Sequence, residues 1–181
     1  MKKHIVGISG LKTSGKTTLA KYLEREHGFQ RLAFAGNLKK AAAIIFRLSH
    51  DQLYDQGLKE KVDERWDMAP RKILELLGAE IGRQIDDRVW IKSVMLSIED
   101  SDHDRFVIED CRFTNEADAI RASGGRVLGI QRPGLLPSMH PSETEMWENW
   151  SDMIDTTVVN SSTKEELFCM GDIAIQDWRM A

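Results

Sequence analysis

Cysteine is almost missing from this chain. Cys111 and Cys169 are the only two in 181 residues, too few and too far apart for a disulfide framework or a zinc site. That scarcity fits a reducing compartment, and both thiols read as core residues rather than nucleophiles. Long apolar runs are also missing. None approaches the ~20 residues that cross a bilayer, so no membrane insertion is expected. Met1-Lys2-Lys3 imitates the basic start of a secretory leader, but glycines and then Lys12 interrupt the apolar stretch behind it, and a cytoplasmic protein is expected. There is no basic excess: the net charge is −4, which argues against binding a nucleic acid polymer through its phosphates but leaves room for a local cationic pocket. Of only four prolines, Pro133, Pro137 and Pro141 crowd into one weakly patterned connection, about 132–154, which reads as a flap or an irregular excursion.

A single domain over residues 1–181 is expected, since this length buries one sizeable core. Residues 10 to 17 read Gly-Leu-Lys-Thr-Ser-Gly-Lys-Thr, a complete G-x-x-x-x-G-K-[ST] loop. Ile5, Val6 and Ile8 before it form a buried-strand run, and Leu19, Ala20 and Leu23 after it recur at helical spacing up to Gly28. Gly10 and Gly15 let the backbone turn tightly, so that loop amides from Thr13 to Thr18, Ser14 among them, and the helix N-terminus converge on a phosphate. Lys16 then reaches the β- and γ-phosphates, and the Thr17 hydroxyl can ligate a bridging Mg²⁺.

Five apolar, β-branched or aromatic segments read as strands, near 4–8, 30–34, 105–109, 126–131 and 156–159, with helical patterns between most of them. The alternation predicts a parallel sheet with helices on both faces. Asn37 caps a helix carrying Leu38, Ala41, Ala42, Ile45, Phe46 and Leu48. Pro70 opens another, with Ile73, Leu76, Leu77 and Ile81 as its buried stripe. A third covers about 87–99, and Ser162-Thr163-Lys164-Glu165 is a capping box for the last.

Ligands of such sheets lie across the carboxyl ends of the strands. There Asp110 is suited to the Mg²⁺ shell or to accepting a proton, and Arg112 shares its side if strand geometry persists. Arg132 closes the fourth strand and is expected, with the phosphate loop, to bind the nucleotide. Arg65, Arg71, Arg83 and Arg88 supply charge for a second, anionic substrate, while Trp66 and Trp90 are candidates to stack a base or to sit in the core. From Pro133 to Thr163 there is no Lys or Arg, so no arginine lid can close there. His140 reads as a capping or loop-packing residue.

The phosphate loop, Phe34-Ala35-Gly36-Asn37-Leu38-Lys39, the run from Arg71 to Glu80, Asp87-Arg88-Val89-Trp90, Val107 to Arg112 with Asn115-Glu116-Ala117, Gly124-Gly125, Gln131 to Gly134 and His140-Pro141-Ser142-Glu143 follow one another in an order that resembles the phage-type deoxynucleoside monophosphate kinases. The likeness runs nearly end to end. It implies a three-layer α/β/α P-loop fold with a five-stranded parallel sheet of order 2-3-1-4-5. It also implies transfer of the ATP γ-phosphoryl group to a deoxynucleoside monophosphate with Mg²⁺, in the host cytoplasm if the chain is phage-encoded. By the same resemblance, Lys16, Asp110 and Arg112 form the reaction centre, and Thr17 and Asp110 serve the metal. Lys39, Arg65, Arg71, Arg88, Trp90 and Glu116 face the acceptor, four of them from an acceptor-binding helical segment of about 50–100, and a homodimer stays open. Two alternatives remain: a P-loop kinase of another small phosphorylated metabolite, and an ATP-dependent switch. The guanine-reading Asn-Lys-x-Asp and the switch Asp-x-x-Gly are both missing.

Overall fold

The computed structural model describes residues 3–138 and 141–180. The readings placed on Met1, Lys2 and His140 lie outside the described residues. Two compact units are present: residues up to Ala33 together with those from Ile98 onward, and Phe34–Ser97 between them.

The first unit is a parallel sheet of five strands, β1 (His4–Gly10), β2 (Gln30–Leu32), β3 (Arg105–Ile108), β4 (Arg126–Gln131) and β5 (Thr156–Val159), in the order β2-β3-β1-β4-β5. Its register pairs Val6 with Val107 and Ile8 with Leu128. β1 is the central strand and is buried from Ile5 through Gly10, which is why it reads as an apolar run. Strand alternation sends Val6 and Ile8 to one face, where Leu19 and Leu23 of α1 (Lys16–His27) and Leu167 and Ala174 of the last helix (Lys164–Met180) complete the core. At Gly7 the other face meets Ile120 of the helix Thr114–Ala122. Helices therefore cover both faces, and the expected α/β/α layering and strand order are found.

The second unit is helical: α2 (Phe34–Phe46), α3 (His50–Tyr54), α4 (Gln56–Glu60), α5 (Pro70–Glu75), a π-helical stretch (Leu76–Gly82), α6 (Arg83–Ile85) and α7 (Val89–Glu99), whose last residues pass into the first unit. Ala42, Leu48, Leu53 and Ile73 form its buried cluster. The remaining helices are α8 (Thr114–Ala122), α9 (Pro141–Glu148), α10 (Trp150–Met153) and α11 (Lys164–Met180).

Several sequence expectations shift. The second strand stops at Leu32, because Phe34 starts a helix, and a short apolar run alone does not separate a strand from a helix start. Asn37 consequently lies inside α2 rather than capping it, and its amide donates to Ser93 Oγ at 2.7 Å. Phe34 and Ala42 are the buried residues of α2, and Ile45 is exposed. Pro70 does open α5, but i→i+5 bonding from Leu76 breaks the 3.6-residue period and leaves Ile81 half exposed. Thr163 rather than Ser162 caps α11, accepting from Glu166 N at 3.3 Å. The 132–154 connection carries α9 and α10. Cys169 is exposed, whereas Cys111 is buried.

Candidate functional site

The loop between β1 and α1 is held in backbone conformations that most residues avoid. Gly10 has φ 143° and Gly15 φ 114°, while Thr13, with φ 65°, is left-handed despite its β-branch. A Cβ at Gly10 would stand 2.5 Å from the carbonyl oxygen of Ile130 and 2.7 Å from Ser14 Oγ. Gly10→Ala is therefore expected to destabilise the fold by on the order of 2 kcal/mol or more, lowering Tm by about 4 °C or more. An unchanged thermal melt would contradict this packing.

Strained loops persist only where their surroundings over-determine them, and three consecutive residues here are tied from outside. Lys12 N donates to Glu143 Oε1 at 3.0 Å, Arg132 Nη1 donates to Thr13 O at 3.2 Å, and Asn160 Nδ2 donates to Ser14 O at 2.8 Å. Asn160 also lies 2.7 Å from where a Cβ of residue 15 would be, so Gly15 is required by close approach as well as by φ.

Lys16 Nζ donates to Gly10 O at 2.8 Å and Leu11 O at 2.7 Å, spending two of its three N–H groups on the loop itself. Burial first and Arg112 second pull its pKa down to about 8, against Glu143, Asp110 and Glu109, which act in the opposite direction. One basic centre and its acidic neighbours thus share a field at the carboxyl ends of β1 and β3. β3 ends at Ile108, so the alternation that would have put Asp110 and Arg112 on one side does not continue. Both nevertheless act electrostatically on Lys16. Arg112 is exposed, with Nη1 3.4 Å from the buried Ser142 Oγ.

Glu116, expected at the acceptor, is buried at the start of α8. Its Oε2 accepts from Arg112 N at 2.7 Å and Phe113 N at 3.1 Å. Burial pushes its pKa up to about 8, against the pull of those amides.

A cavity of about 400 Å³ opens beside the loop, lined by Thr13, Gly15, Lys16, Thr17, Thr18, Arg132, Asn160, Ser162, Lys164 and Leu167. Sequence reasoning had placed the first six. It missed Asn160 and Ser162, which come from the β5–α11 connection, and Lys164, the first residue of α11. The available signal was their position just past the carboxyl end of a parallel strand, together with Lys164 being the first cation after the basic-free stretch. Among the described residues no cluster of three or more His, Cys, Asp or Glu side chains could hold a metal. A Mg²⁺ that keeps its waters and takes substrate phosphates needs no such cage, only one or two oxygen donors, the kind of group that Thr17 and Asp110 carry.

Within the second unit the expected acceptor residues are variously engaged. Arg65 grips Asp63 through Nε at 2.9 Å, holding that carboxyl well below the usual carboxylate range, and also reaches Arg47 O. Arg71 pairs with Glu60 and lies 3.3 Å from Gln56 Oε1. The Arg88 guanidinium is exposed, 3.9 Å from Asp87. Lys39 Nζ sits 4.2 Å from the Tyr54 ring centre. Trp90 Nε1 donates to Gly78 O and Trp66 Nε1 to Phe46 O, both at 2.9 Å.

Comparison with known proteins adds four relationships. The family model for deoxynucleotide monophosphate kinase matches residues 46–170. A protein of Acanthamoeba polyphaga mimivirus named as a deoxynucleotide monophosphate kinase is 38% identical, covering 91% of this chain and 92% of its own. The deoxynucleoside-5'-monophosphate kinase of Escherichia phage T5 is 35% identical over 42% of this chain and 34% of its own. Shikimate kinase from Aquifex aeolicus shares the fold, with a TM-score of 0.54 at 14% identity over 98% of this chain and 99% of that one. Among the described residues no helix is long and apolar enough to cross a membrane.

Proposed function

This chain belongs to the deoxynucleotide monophosphate kinase family, and from that premise we propose that it transfers the γ-phosphoryl group of ATP to a deoxynucleoside monophosphate, giving ADP and the deoxynucleoside diphosphate. The observation that carries the donor half is the over-determined loop from Gly10 to Thr17, opening on a cavity with Lys16, Arg132 and Lys164 in its wall. Phosphoryl transfer asks little covalent work of a protein, so alignment and charge neutralisation are what these residues supply. Loop amides and the α1 N-terminus bind the β-phosphate, and Lys16 follows the γ-phosphoryl group. A triphosphate beside Lys16 restores the protonation that burial disfavours. Thr17 and Asp110 would hold Mg²⁺, which when bound would neutralise charge on the phosphates. We assign Lys39, Arg71 and Arg88 to the acceptor phosphate and Trp90 to its base side. Two free thiols and the mild negative charge are compatible with a reducing cytoplasm and a small nucleotide substrate.

A panel of eight nucleoside monophosphates, ribo and deoxy, each with ATP and Mg²⁺, tests the proposal. ADP should form in proportion to added deoxynucleotide. Hydrolysis at the same rate without an acceptor would point to a switch, and use of none of the eight would turn the search to other phosphorylated metabolites. Arg112→Lys keeps the charge but loses the planar fork, so its kcat is expected to fall on the order of tenfold in the same assay. Unchanged kinetics would place Arg112 outside the reaction centre.

A further inference from the structure

Glu143 lies in a stretch without any basic residue, far in sequence from the phosphate loop, yet its carboxylate divides its two oxygens between that loop and its own connection. Oε1 accepts from Lys12 N at 3.0 Å and Oε2 from Ser138 N at 2.9 Å. Its neighbour Ser142, buried at the start of α9, meets Arg112 through Oγ. All of these residues belong to the first compact unit. We infer that Glu143 is a positioning residue: it pins the outer rim of the phosphate loop through the Lys12 amide and, with Ser142, sets the loop against Arg112.

The physical case has three parts. Lys12 directly precedes Thr13, whose left-handed backbone is a strained conformation for a β-branched residue, and strain of this kind relaxes unless something outside the loop holds it. Arg132 and Asn160 hold the carbonyls of Thr13 and Ser14 from the cavity side, and Glu143 holds an N–H, where a carboxylate makes the stronger, charge-assisted bond. Burial pushes the Glu143 carboxyl up, but the Ser138 and Lys12 bonds and Arg112 outweigh that and keep it below its ordinary range, so it carries its charge at neutral pH. A loop amide engaged by a carboxylate is also withheld from phosphate, which leaves the amides from Thr13 onward to define where the triphosphate sits.

The reading of this chain as a nucleotide kinase supplies only the identity of the loop's ligand, and the inference rests on it to that extent. MgATP affinity is measured by calorimetry, with no acceptor present, for the wild type, Glu143→Ala and Glu143→Gln, and kcat and both KM values follow by coupled assay well below each melting temperature. Glu143→Ala should weaken MgATP binding and lower kcat, each on the order of tenfold, because a displaced loop misaligns the donor. Its KM for the deoxynucleotide should stay within about twofold, since acceptor binding does not draw on the rim contact. Glu143→Gln keeps an acceptor oxygen for one amide but not for both, and should fall between the two. If Glu143→Ala does not fold, the glutamine variant carries the test. Wild-type MgATP affinity and kcat in the variants would overturn the inference, as would an equal loss on the donor and acceptor sides. A protein that binds MgATP in a Glu143-dependent way yet phosphorylates no deoxynucleotide would refute the acceptor assignment and leave this one standing.

Discussion

Lys16→Ala is expected to lose turnover on the order of a thousandfold, about 4 kcal/mol of transition-state stabilisation, while melting within a few degrees of the wild type or above it. The activity loss follows from the chemistry: charge accumulates on the transferring group, and the lysine is the cation of the phosphate loop itself. The stability expectation follows from the cost of holding that cation. Burial lowers the Lys16 pKa from 10.5 to about 8, which means the folded state carries the charged form less easily than the unfolded chain does. Removing the side chain relieves that cost. It also takes Nζ away from the carbonyls of Gly10 and Leu11, a loss that offsets part of that gain. Activity lost without a lower Tm is the signature of a residue kept for function against stability. A thermal melt beside the coupled assay reads both, and an active variant would remove Lys16 from the reaction centre.

The second large effect concerns pH. Glu116 is a buried acid whose pKa rises from 4.5 to about 8, chiefly through burial, with Asp110 adding to the rise and the amides of Arg112 and Phe113 opposing it. The folded protein therefore binds this proton more tightly than the unfolded chain. Its contribution to stability is complete below about pH 4.5, where both states are protonated, and is lost progressively as pH climbs to about 8. At ~1.4 kcal/mol per unit the full loss is on the order of 4 to 5 kcal/mol. Glu116→Gln keeps an oxygen for the two amides and cannot ionise. Its stability advantage over the wild type, measured by urea unfolding at pH 5, 6, 7 and 8, should grow across that series and level off above it. A constant difference would mean that Glu116 is ionised throughout, with the amides outweighing burial. Because those same amides fix the main chain at Arg112, the titration of Glu116 bears on this proposed reaction-centre residue as well as on α8.

What could be read from the linear chain, and what could not, separates along a physical line. Strands buried on both faces appear as short runs of Ile, Val and Leu, and the edge strand β5 as a β-branched Thr-Thr-Val-Val run, so β1, β3, β4 and β5 were placed within two residues of their ends. Gly10, Gly15, Lys16 and Thr17 were legible because the loop's chemistry resides in neighbours along the chain. The π-helical stretch was not, since i→i+5 bonding leaves no period that residue types announce. Nor was the start of α2, where Phe34 serves equally as strand or helix. Arg65 read as a substrate residue, and in the structure its guanidinium grips Asp63.

Local order, strand sequence and the phosphate loop are thus written in residues close together, through periodicity and backbone permissiveness, and the chain alone was enough to specify them. The ring of contacts that gives the loop its working shape was settled by folding. Arg132 and Glu143 come from the connection after β4 and Asn160 from the one after β5, and only the parallel sheet brings their side chains to Thr13, Lys12 and Ser14. Hydrogen bonds between residues more than a hundred positions apart depend on distance in space, to which spacing along the chain is blind.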